Sequence, residues 1–504
     1  MAFVPVNISP GVIRQSTPYD APNSWWDTSN VRWLSGAISP IGGNTRITAQ
    51  ALPTKIRSLF QWRDNSAREW TAIGHEGGIQ VLFGALADVT PTGFVSMTAV
   101  SGGGYGSLNY GEDNYGTARA YNPPIFRKPD HWTFASFGQD LLAVCSSDGR
   151  LLHLAPTTGV IPAMDVPSNA PTGNFAVAVT AERAVMLMGA GGNPRRIAWS
   201  DLENYNGWTF NTSTGQAGYI DIEASSPIIT GVRVKEGVLV LTQHEVFLVR
   251  YVGAPFFYGV EKLGSTTFSC PNAVASGGAQ CVWFGEEGFW RYDGGAVRLL
   301  QCPIFGDVKA NYDPLYGSYR AHMHENGAFP EFWFDFPDLN APNGECNNYV
   351  IWNYDANIWI RGQRSRTAAY GAVTANFPIA AGLDNNVYQH EDGYLDNGAS
   401  RVGTVWAETS VLNFGEGQDN FDVVQAMVSS SAAAASNNYQ LKFLTRYTPG
   451  QTETIFGPYQ PRLDGYMDCR ATGRDYRMRI EATNDQYWSL GQIRLDIVGN
   501  SGRR

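Results

Sequence analysis

The feature that most constrains the fold of this chain is a recurring phrase: an apolar strand, a small or acidic turn, then an alternating strand. Its copies are "IGHEGGIQVLFG", "CSSDGRLLHL", "LTQHEVFLVR", "WFGEEGFWRYDGG", "WNYDANIWIRG" and "GLDNNVYQHEDG". With a further turn in "GAGGN", the turn centres fall near Gly77, Gly149, Gly192, Glu245, Gly288, Ala356 and Asn386. A four-stranded propeller blade takes roughly 40–50 residues. The spacing of the turns therefore predicts an all-β propeller.

The last interval between turns is short, which indicates a half blade near Ser400. Strands from the N-terminal side would complete this blade and close the ring, and radial closure removes exposed sheet edges. Counting turns does not by itself choose between six and seven blades. An irregular β-sandwich with many similar hairpins stays open as the alternative fold.

Composition agrees with many strands and many turns, because aromatic residues reach 13% and the chain has 55 Gly and 27 Pro. The net charge of −10 argues against a surface that grips DNA or anionic lipid. No run of about 18 apolar residues and no signal-peptide pattern is visible, so we expect no membrane span and no cleaved leader. The six cysteines are scattered, which favours free buried thiols.

The chain divides into three segments that differ in sequence pattern. Residues 1–50 form a Pro-punctuated arm with a hairpin near Ser35, residues 51–400 carry the repeated phrase, and residues 401–504 alternate cleanly between apolar and polar. We therefore expect an extended arm, a propeller, and a C-terminal β-sandwich.

Two aromatic groups are the candidate contact residues. The arm cannot bury its own apolar side chains, so Trp25, Trp26 and Trp33 must pack on this subunit or on a neighbour. A Gly- and Tyr-rich insertion at 101–128 offers broad contact area at low entropy cost. Its candidate residues are Tyr105, Tyr110 and Tyr115.

No pattern of catalysis stands out. The chain has no P-loop, no H-E-x-x-H and no G-x-S-x-G sequence. His322 and His324 would share one face of a strand, where they could bind a metal, but no third ligand is apparent, so a structural pair is favoured. In "WSDLENYNGWTF", we expect Asp201 to satisfy backbone N–H groups in a turn and Trp208 to anchor the blade.

Pairs of acids are the remaining candidates for chemistry. Asp335 with Asp338, or Glu286 with Glu287, could be the carboxylates of a glycosidase. Acids near turns more often cap the turn or face solvent. The sequence therefore nominates no catalytic, cofactor-binding or metal-binding residue.

Several phrases resemble one family, the tail nozzle or tail stabilisation proteins of short-tailed bacteriophages. "WWDTSNVRWLSGAISPIGG" resembles their opening, and "RRIAWSDLENYNGWTF" is similar to their recurring W-S-D…W phrase. "NYVIWNYDANIWIRG" with "AAGLDNNVYQHEDG" resembles their last blades, and "YRMRIEATNDQYWSLGQIRLDIVG" their C-terminal strand pair. The likeness spans most of the chain, although the insertion after Ser101 has no counterpart.

The resemblance implies a six-bladed propeller with an added sandwich, and a structural rather than enzymatic role in the virion tail. Six copies would form a ring that extends the DNA-ejection channel below the portal and adaptor proteins, with the arm lacing one subunit to the next. Tail fibre, spike or needle proteins would be further partners. Double-stranded DNA would pass without sequence-specific binding, and the particle would assemble in the host cytoplasm.

Two other functions stay open on the same scaffold. One is a propeller lectin or glycosidase that acts on bacterial surface polysaccharide, which requires aromatic side chains beside acids. The other is a peripheral receptor-binding protein of the virion.

Overall fold

The computed structural model describes residues 3–14, 17–96, 128–156, 161–210, 215–277, 279–371, 377–412, 414, 419–430, 438–448 and 450–500. About half of these residues are in β-strands, and two short α-helices are present, α1 (Phe305–Asn311) and α2 (Pro314–Arg320). Tyr105, Tyr110 and Tyr115 lie outside the described residues. No helix within these ranges has the length and apolar character needed to cross a membrane.

Seven small antiparallel sheets follow one another along the chain, and the seventh takes its last strand from the N-terminal arm. The first four sheets contain β6 (Ile56–Arg63), β7 (Glu69–His75), β8 (Gly78–Phe83) and β9 (Ala85–Asp88); β10 (Trp132–Phe137), β11 (Asp140–Cys145) and β12 (Leu151–Leu154); β13 (Ala176–Val179), β14 (Val185–Met188), β15 (Arg196–Trp199) and β16 (Gly218–Asp221); and β17 (Ile228–Val234), β18 (Gly237–Thr242), β19 (Glu245–Gly253) and β20 (Phe257–Ser265). The other three contain β21 (Val274–Gly277), β22 (Gln280–Gly285), β23 (Gly288–Tyr292) and β24 (Val297–Leu299); β25 (His322–Asn326), β26 (Glu331–Phe336), β27 (Asn348–Asn353) and β28 (Ile358–Gln363); and β29 (Ala368–Tyr370), β30 (Ile379–Ala381), β31 (Val387–His390) and β5 (Asn44–Arg46).

The first strands of these sheets form a closed circuit. Strand β6 contacts β10, β10 contacts β13, and the series continues through β17, β21 and β25 to β29, which contacts β6 again. The predicted all-β, propeller-like character is therefore present. Seven sheets take part, the number that turn counting left open beside six.

The arm supplies the strand that completes the last sheet, as the short final interval predicted. In β5, Thr45 pairs with Gln389 and Asn44 with His390, both in antiparallel register with β31. Just before β5, the backbone at Gly43 lies very close to the backbone of Leu395, since a Cβ added at Gly43 would overlap it. Glycine is therefore needed where the arm joins the ring.

Each copy of the recurring phrase forms a hairpin, because two apolar runs that alternate about a short turn pair in antiparallel fashion. In "WFGEEGFW", Gly285 pairs with Gly288 across a turn of Glu286 and Glu287. The same hairpin joins the second and third strands in six sheets, and the third and fourth strands in the sheet of β25 to β28.

Apolar side chains fill the space between neighbouring sheets of the ring. Trp70 and Trp132, for example, belong to one buried cluster between the first and second sheets. Ile73 and Ala381 belong to another, between the first and seventh sheets. Because neighbouring sheets bury their faces against each other, the radial packing accounts for the many apolar and aromatic residues in the strands.

Two further sheets, which we call the two-sheet region, combine the arm with the end of the chain. One has β1 (Phe3–Val6), β3 (Val31–Leu34), β4 (Ala37–Pro40), β33 (Asn420–Ser430), β36 (Tyr466–Gly473) and β38 (Leu490–Asn500). The other has β2 (Trp25–Ser29), β32 (Trp406–Thr409), β34 (Tyr439–Arg446), β35 (Thr454–Tyr459) and β37 (Asp475–Ala482). Their buried side chains belong to one apolar cluster.

The predicted alternation of the C-terminal strands is confirmed. In β37, Tyr476, Met478 and Ile480 are fully buried, whereas Arg477 and Arg479 are half-buried. This pattern is typical of a strand with one face in a core and the other near solvent. The arm strands β1, β2 and β4 pair with strands of the same chain in the structure.

Candidate functional site: the central cavity

A cavity of about 350 Å³ lies at the centre of the ring, and the first strand of each of the seven sheets contributes to its lining. This volume is within the range of roughly 300–1,000 Å³ that is usual for small-molecule sites. The lining combines aromatic, aliphatic and polar side chains. The cavity is therefore the place in the fold where chemistry from seven separate strands can converge.

Three half-buried aromatic side chains, Phe60, Phe134 and Tyr370, line part of the cavity. They come from three adjacent strands of the circuit, β6, β10 and β29. The ring centroid of Phe60 is 5.2 Å from that of Tyr370 and 6.1 Å from that of Phe134. The cavity wall thus has a continuous aromatic row across two sheet boundaries.

Glu325 of β25 contributes an acid to the same lining. Burial raises the pKa of its carboxyl, and the Tyr354 hydroxyl, which donates to it at 3.5 Å, opposes this shift weakly. Among the described residues no cation pairs with Glu325. A Cβ at Gly277 would overlap its carboxylate, so the glycine at the end of β21 makes room for the acid.

Arg233 of β17 is an exposed cation in the lining. In the part of the chain that the structure describes, its guanidinium makes no ion pair, hydrogen bond or ring contact. It therefore remains available to a ligand in the cavity.

A buried ion-pair network supports another part of the wall. Arg57 of β6 donates to Glu345 at 2.8 and 2.9 Å and to Glu76 at 2.7 Å. Burial opposes ionisation of Glu345, but Arg57, with smaller contributions from Arg320 and Lys55, lowers the pKa of that carboxyl. These charges are committed to one another, so the network is structural.

His322 and His324 lie on one face of β25 and point toward Asp335. The distances from His322 Nε2 and His324 Nδ1 to Asp335 Oδ2 are 3.5 and 3.9 Å. Arg364 pairs with the same carboxylate at 2.9 Å. Burial lowers the pKa of His324 to about 3, so its ring is neutral near pH 7. Among the described residues no group of three or more His, Cys, Asp or Glu is placed to hold a metal.

The acid pairs nominated from the sequence do not form a converging carboxylate site. Asp335 is fully buried in the ion pair with Arg364, whereas Asp338 accepts hydrogen bonds from Asn348 Nδ2 and Asn340 N, both at 2.9 Å. Glu286 and Glu287 are exposed in the β22–β23 turn. Each of these acids therefore has the turn or ion-pair role that is usual outside active sites.

The turn predicted around Asp201 is confirmed. Gln216 N and Ala217 N donate to Asp201 Oδ1 at 2.6 and 2.7 Å. Trp208 is buried against the third sheet. The aspartate thus satisfies backbone groups, as expected of a structural turn.

The arm tryptophans lie in different environments within this chain. Trp25 and Trp33 are both 4% exposed, and their ring centroids are 5.8 Å apart in the core of the two-sheet region. Trp26 is half-buried, with the Arg14 guanidinium 5.3 Å from its ring. Their contact with a second chain stays a prediction, as does that of the insertion tyrosines.

The sequence did not nominate the cavity residues. Phe60, Phe134, Arg233, Glu325 and Tyr370 are far apart in the chain and are brought together only by ring closure. Their common signal is position: each lies on the first strand of a sheet. That signal becomes usable once the sheet order is known.

A second polar cluster also escaped the sequence. His153 contacts Asp165 at 2.7 Å and Asp140 at 3.1 Å, and its ring lies 4.0 Å from that of Tyr205. Residues from β11, β12 and two connecting segments meet there, so no local motif announces it.

Comparison with known proteins gives a fold likeness alone. No protein-family model and no curated protein matches the chain. Among solved structures, a streptogramin B lyase is 11% identical, covers 69% of this chain and 96% of its own, and has a TM-score of 0.38. A virginiamycin B lyase from Staphylococcus aureus is 10% identical, with coverages of 69% and 97% and a TM-score of 0.38. An exported protein from Bacteroides fragilis is 7% identical, covers 50% and 78%, and has a TM-score of 0.31.

Proposed function

We propose that the chain is a structural subunit of a short bacteriophage tail: one of six copies in a nozzle that continues the DNA-ejection channel. The observation that carries this proposal is the placement of the nominated acids. Asp335 is held in an ion pair and Asp338 in hydrogen bonds, whereas Glu286 and Glu287 are exposed on a turn outside the cavity lining. These four acids do not converge on a shared site, which suits a building part better than a hydrolase.

The charge of the chain supports the same function. Six copies at −10 each carry a net charge of about −60. An acidic lining repels phosphate groups, so DNA passes without being held. The portal and adaptor proteins upstream, and fibre, spike or needle proteins downstream, are the partners that this position requires.

The finer architecture belongs to the proposal as well. We take the seven sheets as seven blades, closed by β5, rather than the six implied by the family resemblance. We take the two-sheet region as a β-sandwich built on residues 401–504 and completed by strands of the arm. The arm would then pack mainly against its own subunit, and contact with a neighbouring subunit would need residues other than the buried Trp25 and Trp33.

Size-exclusion chromatography with light scattering tests the assembly. The expected result is a ring of six chains, either alone or after addition of the upstream tail protein. A persistent monomer under both conditions contradicts the nozzle. Electron microscopy of a particle that contains the protein then gives its position, on the tail axis for a nozzle and at the rim for a receptor-binding protein.

The alternative, a propeller lectin or glycosidase acting on surface polysaccharide, has one observation in its favour. The central cavity has both aromatic side chains and an acid, Glu325, in its lining. The similar solved structures are lyases and an exported protein rather than tail proteins, but at TM-scores of 0.38 and below they do not decide between the two functions. A hydrolysis screen on bacterial polysaccharides tests this alternative: turnover that is lost in Glu325→Gln would favour it over the nozzle.

A further inference from the structure

We infer that the central cavity is a binding site for a small carbohydrate of one or two sugar rings, with Phe60, Phe134 and Tyr370 as the stacking surface and Glu325 and Arg233 as the polar contacts. This proposal names a ligand class for the alternative function given above, the lectin or glycosidase. It rests on that function only for the biological role of the bound sugar. Binding itself is a property of the chain whether or not it assembles into a ring.

The aromatic row provides the first requirement of a sugar site. A pyranose has one face of C–H groups, which packs well on a flat aromatic ring, and hydroxyls at its rim, which need polar partners. Phe60, Phe134 and Tyr370 are half-buried, so their rings keep surface toward the cavity. Their row crosses three strands, which gives a surface longer than a single ring.

The acid provides the second requirement. A partly buried carboxylate without a cation has an unfavourable free energy, and that cost falls when hydrogen-bond donors reach it. Glu325 has only the distant Tyr354 hydroxyl as a hydrogen-bond partner among the described residues, at 3.5 Å. Sugar hydroxyls would supply short donors to the carboxylate oxygens, so ligand binding satisfies a group that the protein alone leaves poorly satisfied.

Arg233 provides the third requirement and favours a sugar over a cation. Its guanidinium offers several donors to hydroxyl or ring oxygens. A quaternary ammonium would also suit three aromatic rings and a carboxylate, but a free arginine in the same small cavity would repel it. The cavity of about 350 Å³ limits the occupant to a small saccharide or to the end of a chain.

The test is saturation-transfer NMR followed by calorimetry on the full chain, with glucose, galactose, rhamnose, N-acetylglucosamine and their disaccharides as probes. At least one probe is expected to bind with a dissociation constant of about 1 mM or tighter. Choline is the competing cationic probe. The inference is overturned if no sugar binds at about 20 mM, or if choline binds and the sugars do not.

Variants locate the binding. Glu325→Gln and Arg233→Gln should each weaken binding about 10-fold. Glu286→Gln in an exposed turn and Arg470→Gln on β36 are the matched controls and should leave binding unchanged. Equal weakening by all four variants would overturn the assignment. Because Arg233 is exposed, its variant tests the site even where Glu325→Gln fails to fold.

Gly277→Ala adds a change that acts through geometry. Its new Cβ would displace the flexible end of Glu325 without touching the ligand's other contacts. We expect weaker binding with a small change in melting temperature. Sugar binding without hydrolysis supports the site while it removes the glycosidase, and the assembly measurement decides the nozzle separately.

Discussion

The ring and the two-sheet region build their sheets in opposite ways. Six of the seven ring sheets use strands that are consecutive in sequence, and only the seventh borrows a strand from the arm. In the two-sheet region, β1 pairs with β38 and β2 with β32, so each sheet combines strands from both ends of the chain. Local contacts dominate the first unit, whereas long-range contacts dominate the second.

Their interiors differ in buried charge. Both interiors are largely apolar and share one cluster. Buried ion pairs such as Arg57 with Glu345 lie in the ring, whereas the pairs of Arg477 and Arg479 with Glu408 in the two-sheet region are only partly buried. Arg32 of β3 links the two units, because it pairs with Glu331 of the sixth ring sheet and with Glu391 after β31. The apolar cluster of the two-sheet region also continues into the ring. The ion pairs of Arg32 and Arg57 each connect segments of different sheets, so buried charge contributes to holding separate sheets together.

The largest expected effect is at this junction. Arg32→Met would leave Glu331 and Glu391 buried without a cation, and breaking a buried pair in this way costs about 3–5 kcal/mol. Burial already raises the pKa of Glu331. Urea denaturation measures the loss.

Arg63→Met is the matched control, because Arg63 pairs with Glu69 in an exposed position and such pairs contribute about 0–1 kcal/mol. The double variant Arg32→Met, Glu331→Gln should recover part of the stability. Equal effects of Arg32→Met and Arg63→Met would show that the charges do not join the two units.

The apolar interior of the two-sheet region gives the next effect. Trp33→Leu removes much of a buried ring and should reduce the free energy of unfolding by about 3 kcal/mol, the low end for truncating a buried aromatic. Trp26→Leu, at a half-buried position, is the control and should cost less. If Trp33→Leu leaves the isolated chain as stable as before, its ring is not part of this core and a contact with another chain gains support.

Ring closure is tested at Gly43. A Cβ there would overlap the backbone of Leu395, which cannot yield as a side chain can. Gly43→Ala should therefore cost about 2–3 kcal/mol, in the range of overpacking. Gly306→Ala in α1 is the control, because nothing lies within 4 Å of its added Cβ. Hydrogen exchange should show that β31 loses protection first; unchanged protection would mean that β5 does not hold the ring closed.

The smallest effect depends on pH. Since the pKa of His324 falls to about 3 on folding, from about 6.5 when unfolded, the unfolded state binds its proton first. The contribution of His324 to the free energy of unfolding is fully present above about pH 6.5. It declines as the pH falls toward 3, with a loss of about 2 kcal/mol at pH 5. His322, Asp335 and Arg364 face the same ring, so denaturation should be compared between pH 7.5 and pH 5.

His324→Gln should remove about 2 kcal/mol of this pH dependence. His244→Gln, at an exposed turn, should leave it unchanged. An undiminished decline in the His324 variant would assign the effect to other groups.

The recurring phrase was sufficient to predict the hairpins, because hairpin pairing is set by residues close in sequence. The short last interval predicted a sheet completed from the N-terminal side, but the turns left six and seven sheets open. The alternation in β37 likewise predicted its buried face. The strands that pair with the arm were not predictable from sequence. Nothing near Trp25 or Trp33 indicates that β2 pairs with β32 or that these rings pack close to β37. The residues that line the cavity could not be predicted for the same reason, because Glu325 and Phe60 line one cavity only through the order of the sheets.

The pairing of β1 with β38 has a consequence for synthesis. On the ribosome, β1 emerges roughly 490 residues before its partner, which at about 5–20 residues per second is a delay of about 25–100 s. During that time β1 and β2 lack their partner strands, and the Trp25 and Trp33 rings lack the C-terminal side of their core. Pairing of β3 with β4 can form early, because both strands lie within the arm.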